Sequence, residues 1–245
     1  MLTARPGEST LLGSWSALTR LSRAAILAVL PSGWAAVFPH WAVLNNALVA
    51  NPSTPVTVAA AAGEFRRLYS AAGVDTWALW LPSTATNFDD PDMTGTVTGM
   101  TRDTTTLVMT LDALDDFPSY PRVVRTSIDA AARVGDEPIL AAELPAPNGV
   151  DGLDGWALIH DGVAVAGAWT YRCGADVGVY AVGTAPEWRR RGLARALMLH
   201  VLADARQGGA RTASLQSTPM GQRLYEQLGF RTVGRYEEWV ARHVA

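Results

Sequence analysis

A chain of 245 residues fits one large domain or two of ordinary size, and either buries a core sufficient for folding. Hydrophobic residues make up 49% and charged residues 18%, which excludes a disordered or collagen-like chain. The net charge is -3, with 6 Arg against 10 acids in residues 1–120 and 14 against 13 in residues 121–245. Such a balance offers no overall attraction to polyanions, so nucleic acid is not an expected partner.

All 20 basic residues are Arg, which together with abundant Ala points to a GC-rich bacterial genome and to no particular chemistry. Cys173 is the only cysteine, so an intrachain disulfide is excluded and a reducing cytoplasm is the expected location. His40, His160, His200 and His243 have no companions at metal-ligand spacing, and no metal is expected. The apolar run Ala24 to Trp41 is interrupted by Pro31, Ser32 and Gly33, well short of the roughly 20 residues a membrane span needs. It is read as a buried helix and its turn.

In chain order, the pattern predicts a helical stretch from Leu11 to Leu30, then a helix from Gly63 to Ala72 with Phe65, Leu68 and Tyr69 on one face. Strands are expected at Trp77 to Leu81, Thr96 to Met100 and Thr105 to Leu111, each rich in Thr, Val or Trp and bounded by turn residues. Asp89, Asp90 and Asp92 form an acidic turn, read as solvated. The acidic, Pro-containing segment Asp112 to Pro121 is the expected boundary between a first half, residues 1–115, and a second, residues 121–245.

In the second half Thr126 to Val134 reads as a helix. Trp156 to His160 and Val163 to Tyr171 read as strands joined by Asp161-Gly162, a dipeptide suited to a type I′ turn. A strand from Val177 to Val182 leads into Gly183-Thr184-Ala185-Pro186. Arg191 to Arg206 then has helical spacing, with Leu193, Leu197 and Val201 or Leu202 inward, and Gly208-Gly209 ends it. A strand from Thr212 to Gln216, a helix from Gly221 to Leu228 and an extended stretch from Phe230 to Val240 complete the chain.

The segment Arg189-Arg190-Arg191-Gly192-Leu193-Ala194 thus lies between a strand and a helix. At such a place unpaired N–H groups and the positive end of the helix dipole hold anions, and a pyrophosphate fits. Gly192 removes a side chain for close approach, and Ala194 keeps the first turn uncrowded. An Arg triplet alone more often forms a solvated helix start. Here, however, Arg189, Gly192 and Ala194 match the Arg/Gln-x-x-Gly-x-Gly/Ala motif, with Pro186 upstream, and the region resembles the GNAT acetyltransferase superfamily. Leu224-Tyr225-Glu226-Gln227-Leu228-Gly229-Phe230 is similar to that family's later Leu-Tyr-x-x-x-Gly-Phe signature. The two motifs together cover roughly residues 155–240.

The resemblance implies an α/β (α+β) GNAT fold, a mixed central sheet flanked by helices, acting on acetyl-CoA as cosubstrate and requiring no metal. It implies that the strand ending at Val182 splays from its neighbour, so that backbone groups of Val182, Gly183 and Thr184 hold the pantetheine arm. Arg189, Arg190, Arg191, Gly192, Leu193, Ala194 and Arg195 would cradle the phosphates. Tyr225 matches the family's usual proton donor to the departing thiolate, against the alternative of a half-buried aromatic packing its helix.

Acetyl transfer needs a neutral amine, whose unperturbed pKa is about 10, so a base is required. Many relatives carry Glu on the strand before the loop, but the corresponding residue here is Gly178. Asp176 projects from the same strand face and is the candidate base, with Glu143 and Glu187 as other nearby acids. The family's frequent Asn upstream of the Tyr is replaced by Thr218-Pro219, with Ser217 or Thr218 as polar substitutes.

The first half has no second Arg-x-x-Gly-x-Gly/Ala loop, so one active site per chain is expected. It resembles the degenerate GNAT-like half of tandem acetyltransferases. In that arrangement Trp34, Trp41, Trp77, Trp80, Asn45 or Asn46 would reach the acceptor pocket, although core packing explains each Trp. The expected activity is N-acetylation of a primary amine, on a small molecule or a peptide N-terminus. The alternative is a catalytically weak CoA-binding regulatory or scaffold protein.

Overall fold

The computed structural model describes residues 5–89, 95–134 and 150–241. Asp90, Asp92, Glu143 and His243 lie outside those residues. In order, the elements are α1 (Glu8–Thr19), β1 (Ile26–Leu30), β2 (Gly33–Val37), β3 (Asn46–Val49), α2 (Pro55–Ala71), β4 (Trp77–Ser83), β5 (Thr101–Arg102) and β6 (Thr106–Leu111). There follow β7 (Val123–Thr126), α3 (Ile128–Ala132), β8 (Leu153–His160), β9 (Val163–Cys173), β10 (Asp176–Thr184), α4 (Leu193–Gln207), β11 (Thr212–Ser217), α5 (Pro219–Gln227) and β12 (Arg231–Ala241). Short 3₁₀ turns occupy Ala42–Leu44 and Pro186–Trp188.

These elements form two compact units whose segments alternate along the chain. One comprises Met1–Ala17, Met109–Gln216 and Arg223–Arg231, and the other Leu18–Val108, Ser217–Gln222 and Thr232–Ala245. In the first unit the strand order is β11-β10-β9-β8-β7, parallel between β10 and β11 and antiparallel elsewhere. The β8 to β9 turn has φ of 49° at Asp161 and 79° at Gly162, the paired positive angles of a type I′ hairpin.

Strand alternation sorts the helices of this unit onto two faces. Gly167, Trp169 and Tyr171 of β9 point one way. Gly13 of α1 packs against the Tyr171 ring, and the Ala131 carbonyl of α3 comes so close to Gly167 that a Cβ there would stand 2.2 Å away. Trp156 and Ala168 point the other way, and Trp156 meets His200 of α4 edge-on with ring centroids 5.6 Å apart. Helix α4 buries Leu197, Met198, Val201 and Leu202 as its sheet-facing stripe.

The second unit has strand order β1-β2-β3-β4-β12, with β5 also paired to β12. Its parallel pair is β3 with β4. Helix α2 covers one face, packing Val58, Ala61, Ala62, Phe65 and Tyr69 against Ala35, Val37, Ala47, Val49, Leu79 and Leu81. The Tyr69 hydroxyl donates to the Ala36 carbonyl at 2.9 Å, and its ring stacks on Trp77 at 4.8 Å. Trp77 is therefore core. Asn45 is structural too: its Oδ1 accepts from the Phe38 N–H at 2.6 Å and its Nδ2 donates to the Phe38 carbonyl at 3.2 Å.

Three local expectations differ from what is observed. Helix α1 ends at Thr19, and the apolar run beyond it is the antiparallel β1–β2 hairpin, with Ile26 opposite Val37 and Leu30 opposite Gly33. A run apolar at nearly every position carries no period to distinguish helix from strand. Thr96 to Met100 is a turn, closed by Met100 N–H on the Val97 carbonyl with Gly99 at φ 74°, and only Thr101–Arg102 pairs. Helix α2 begins at Pro55, where Thr54 and Thr57 cap each other reciprocally. No described helix is long and apolar enough to cross a membrane.

Candidate active site

Strand β10 divides partway along its length. Its parallel ladder with β11 runs from Asp176↔Thr212 to Val179↔Leu215 and stops there. On the other side it pairs with β9 through Tyr180↔Trp169, shifts register, and resumes at Gly183↔Gly167. Ala181, inside the shift, has φ of 50°, a left-handed conformation rare outside glycine. Beyond Val179 the β11-facing edge of β10 is thus out of that ladder, and Val182, Gly183 and Thr184 are half-buried. An extended ligand with amide groups can pair with such an edge as an added strand.

Next comes the turn that starts α4. Arg190 has φ of 62° and Gly192 of 76°. Gly192 is the N-cap of α4 and offers no side-chain cap. The first α4 N–H to find an intrahelical carbonyl is that of Ala196, on Gly192, at 3.0 Å. The N–H groups of Leu193, Ala194 and Arg195 precede it in the opening turn and have no carbonyl four residues back in the helix. A Cβ on Gly192 would meet nothing within 4 Å, so what the glycine supplies here is its positive φ. A bare helix N-terminus beside arginines is a donor set suited to a pyrophosphate.

The three arginines before Gly192 are used differently. Arg189 Nε donates to the Thr184 carbonyl at 3.2 Å and ties the loop to the end of β10. Arg191 donates to the Glu187 carbonyl at 3.1 Å, and its guanidinium lies 4.8 Å from the Trp188 ring centroid. Trp188 in turn meets His160, the last residue of β8, with ring centroids 4.3 Å apart. Arg190 and Arg195 are exposed. The stack of His160, Trp188 and Arg191 escaped sequence reasoning, since its members are distant in the chain and individually unremarkable. Glu187 is exposed on the turn.

Tyr225 lies on α5, 7% exposed, with its ring edge-on to Phe230 at 6.0 Å. The Phe230 N–H returns to the Tyr225 carbonyl at 3.0 Å. Burial holds the phenol well above its ordinary pKa of 10, so it is a proton-bearing donor at neutral pH.

Asp176 is placed elsewhere. It opens β10, six positions before Val182, roughly 20 Å along an extended strand. Both its carboxylate oxygens are engaged: Oδ1 accepts from the Thr212 hydroxyl at 2.8 Å and Oδ2 from the Ser214 hydroxyl at 2.7 Å. Ser214 also lies 2.9 Å from the Thr10 hydroxyl of α1. Asp176 therefore joins β10, β11 and α1, and the structure does not bring it to the open part of β10. Ser217 is fully buried and donates to the Thr218 carbonyl at 2.9 Å. Among the described residues no three His, Cys, Asp or Glu side chains converge as a metal site would require.

A parallel strand pair that parts beside a left-handed residue and leads into an uncapped, arginine-flanked helix start sets an open strand edge next to an anion-binding helix N-terminus. Residues 152–232 match the family model described as "Acetyltransferase (GNAT) domain", and this segment is similar to that family. Known structures have the same fold. A GCN5-related N-acetyltransferase from Kribbella flavida is 22% identical, with coverage of 99% of this chain and 96% of that one and a TM-score of 0.64. A protein of the GNAT family from Novosphingobium aromaticivorans is 22% identical, with 98% of each chain covered and a TM-score of 0.59. A tandem GNAT protein from the clavulanic acid biosynthesis pathway is 14% identical over 98% of this chain and 96% of its own, with a TM-score of 0.54. No curated protein matches the sequence.

Proposed function

We propose that the chain is an acetyl-CoA-dependent N-acetyltransferase that acetylates a primary amine of a small molecule or a peptide N-terminus. The observation that carries this reading is the parting of β10 from β11 after Val179, immediately upstream of the uncapped start of α4. Val182, Gly183 and Thr184 would pair with the pantetheine amides. The N–H groups of Gly192, Leu193, Ala194 and Arg195, with Arg190 and Arg195 side chains, would hold the phosphates.

In the reaction the amine lone pair adds to the thioester carbonyl carbon, the C–S bond breaks, and the nitrogen sheds a proton. The departing thiolate takes a proton from the Tyr225 hydroxyl, which is then reprotonated from solvent. A second reading, a CoA-binding protein without turnover, is favoured by the engagement of Asp176 in hydrogen bonds remote from Val182. Calorimetric titration with acetyl-CoA, coupled to thiol release across a panel of amines, separates the two. Amine-dependent release that falls at least about tenfold in Tyr225→Phe, with acetyl-CoA affinity retained, is expected. Binding without release from any amine favours the second reading, and absence of binding overturns both.

A further inference from the structure

The loop between Thr184, where β10 ends, and Leu193, where α4 begins, holds a shape that its own residues do not favour. Arg190 has φ of 62° and Gly192 of 76°, and a side chain at a left-handed position persists only where its surroundings over-determine it. Several of the loop's bonds close on itself. The Trp188 N–H donates to the Ala185 carbonyl at 2.8 Å, the Arg189 N–H to the Pro186 carbonyl at 3.3 Å, and the Arg191 side chain to the Glu187 carbonyl at 3.1 Å. Two more secure its entry: the Ala185 N–H donates to the Val165 carbonyl of β9 at 3.0 Å, and Arg189 Nε to the Thr184 carbonyl at 3.2 Å.

Trp188 reaches outside the loop. Its ring centroid lies 4.3 Å from that of His160, tilted by 46°, and 4.8 Å from the Arg191 guanidinium carbon. His160 ends β8 and is paired with Val163 across the β8–β9 hairpin, so the sheet holds its backbone. The indole therefore links a fixed strand end to the arginine that immediately precedes Gly192. Trp188 is half-buried and Arg191 exposed, which sets the guanidinium against an aromatic ring at the rim of the site.

We propose that Trp188 is the positioning residue of the phosphate-binding loop. Stacked on His160, it holds Arg191 and with it the backbone of residues 189–192, so that the N–H groups at the start of α4 are aimed before the cofactor arrives. In this role it needs no contact with the thioester or the amine. It raises the fraction of molecules whose loop is competent to bind, and apparent affinity follows that fraction. This assignment rests on the acetyltransferase reading above.

The test compares acetyl-CoA with S-acetylpantetheine, which has the same thioester and pantetheine amides but no phosphate. The wild type, Trp188→Leu, Trp188→Phe, Arg191→Gln and the Trp188→Leu/Arg191→Gln pair are measured for calorimetric acetyl-CoA Kd, kcat/KM with each thioester, and melting temperature. Trp188→Leu keeps an apolar side chain but no ring face. Its acetyl-CoA Kd should rise about five- to twentyfold while kcat/KM for S-acetylpantetheine stays within about twofold. Trp188→Phe keeps a ring for both neighbours and should recover most of the affinity. The pair should lose less than the two single changes combined, since Leu at 188 already releases Arg191. An unchanged acetyl-CoA Kd in Trp188→Leu overturns the proposal. Equal losses toward both thioesters overturn it too, as does a Phe variant as weak as the Leu variant, because either reduces Trp188 to a packing residue. If Trp188→Leu fails to fold, His160→Leu, which removes the anchoring ring at the other end of the stack, is read by the same comparison. Binding without turnover leaves the acetyl-CoA Kd values of the Leu and Phe variants to decide. A wild type that does not bind acetyl-CoA removes the function and this assignment together, whereas one that binds it and is indifferent to residue 188 removes this assignment alone.

Discussion

His200 Nδ1 accepts a hydrogen bond from the Tyr120 backbone N–H at 3.0 Å, tying the middle of α4 to the segment that leads into β7. The ring also meets Trp156, over which Arg125 stacks at 4.9 Å, and Arg125 bonds Asp204 at 2.8 Å. Protonated Nδ1 cannot accept, so the native arrangement requires neutral imidazole. Burial lowers the His200 pKa from its ordinary 6.5, partly countered by the Asp204 charge.

A lowered histidine pKa makes the unfolded chain the better proton acceptor below about pH 6.5. The stabilisation from His200 is therefore present above that pH and lost as pH falls through the native pKa. Urea unfolding at about pH 7.5 and about pH 5 should show the wild type losing more stability than His200→Asn, whose side-chain oxygen still accepts from Tyr120. Equal losses would separate the Tyr120 contact from the pH response.

How much of this was legible beforehand depended on whether a side-chain pattern existed to read. Asp161-Gly162 and Gly208-Gly209 mark the ends of their elements because each dipeptide has a conformational meaning of its own. Ala24 to Leu30 gave no such choice, and the hairpin there is set by pairing with Gly33 to Val37. In the candidate site, Arg189 and Gly192 were visible as a motif, whereas the left-handed Ala181 was not, since alanine carries no signal for a positive φ. For Asp176, period two gives the face it shares with Gly178, but only the β11 register reveals that Thr212 and Ser214 hold its carboxylate.

Glu238 gives a pH response of opposite sign in the second unit. Burial first, then the neighbouring charge of Asp103, pushes its pKa up to about 7 against a lowering hydrogen bond from Trp80. The native chain then holds the proton more tightly than the unfolded chain between the ordinary 4.5 and about 7. Stability from this group falls as pH rises through that window and levels off above it. Glu238→Gln, permanently neutral, should be more stable than wild type at about pH 8, by about 1–3 kcal/mol, and nearly equal at about pH 4.5. Chemical denaturation at the two pH values measures it.

Arg235 and Glu237, both 0% exposed, bond at 2.9 Å on β12. Arg235 also donates to the Asn87 and Phe88 carbonyls at 2.9 and 3.3 Å. Removing one partner of a buried pair strands the other charge, so Glu237→Leu should cost about 3–5 kcal/mol. Arg235→Met/Glu237→Leu removes both charges and should recover much of that, short of the bonds that held residues 87 and 88. Thermal melts of the single and double variants give the coupling directly.

The arginine triplet should divide its labour as its contacts do. Arg191 is committed to Glu187 and Trp188, so Arg191→Gln acts through the shape of the loop, whereas Arg190, exposed and left-handed, presents its charge outward beside Gly192. If the phosphates of acetyl-CoA lie there, Arg190→Gln should weaken binding about three- to tenfold and flatten the salt dependence of the Kd, because one screened charge contact is gone. Arg191→Gln should weaken binding while leaving the salt slope near that of the wild type. Calorimetric Kd values at about 50 and about 300 mM salt distinguish the two. Identical slopes for all three proteins would mean that Arg190 makes no phosphate contact and that the N–H groups at the start of α4 suffice.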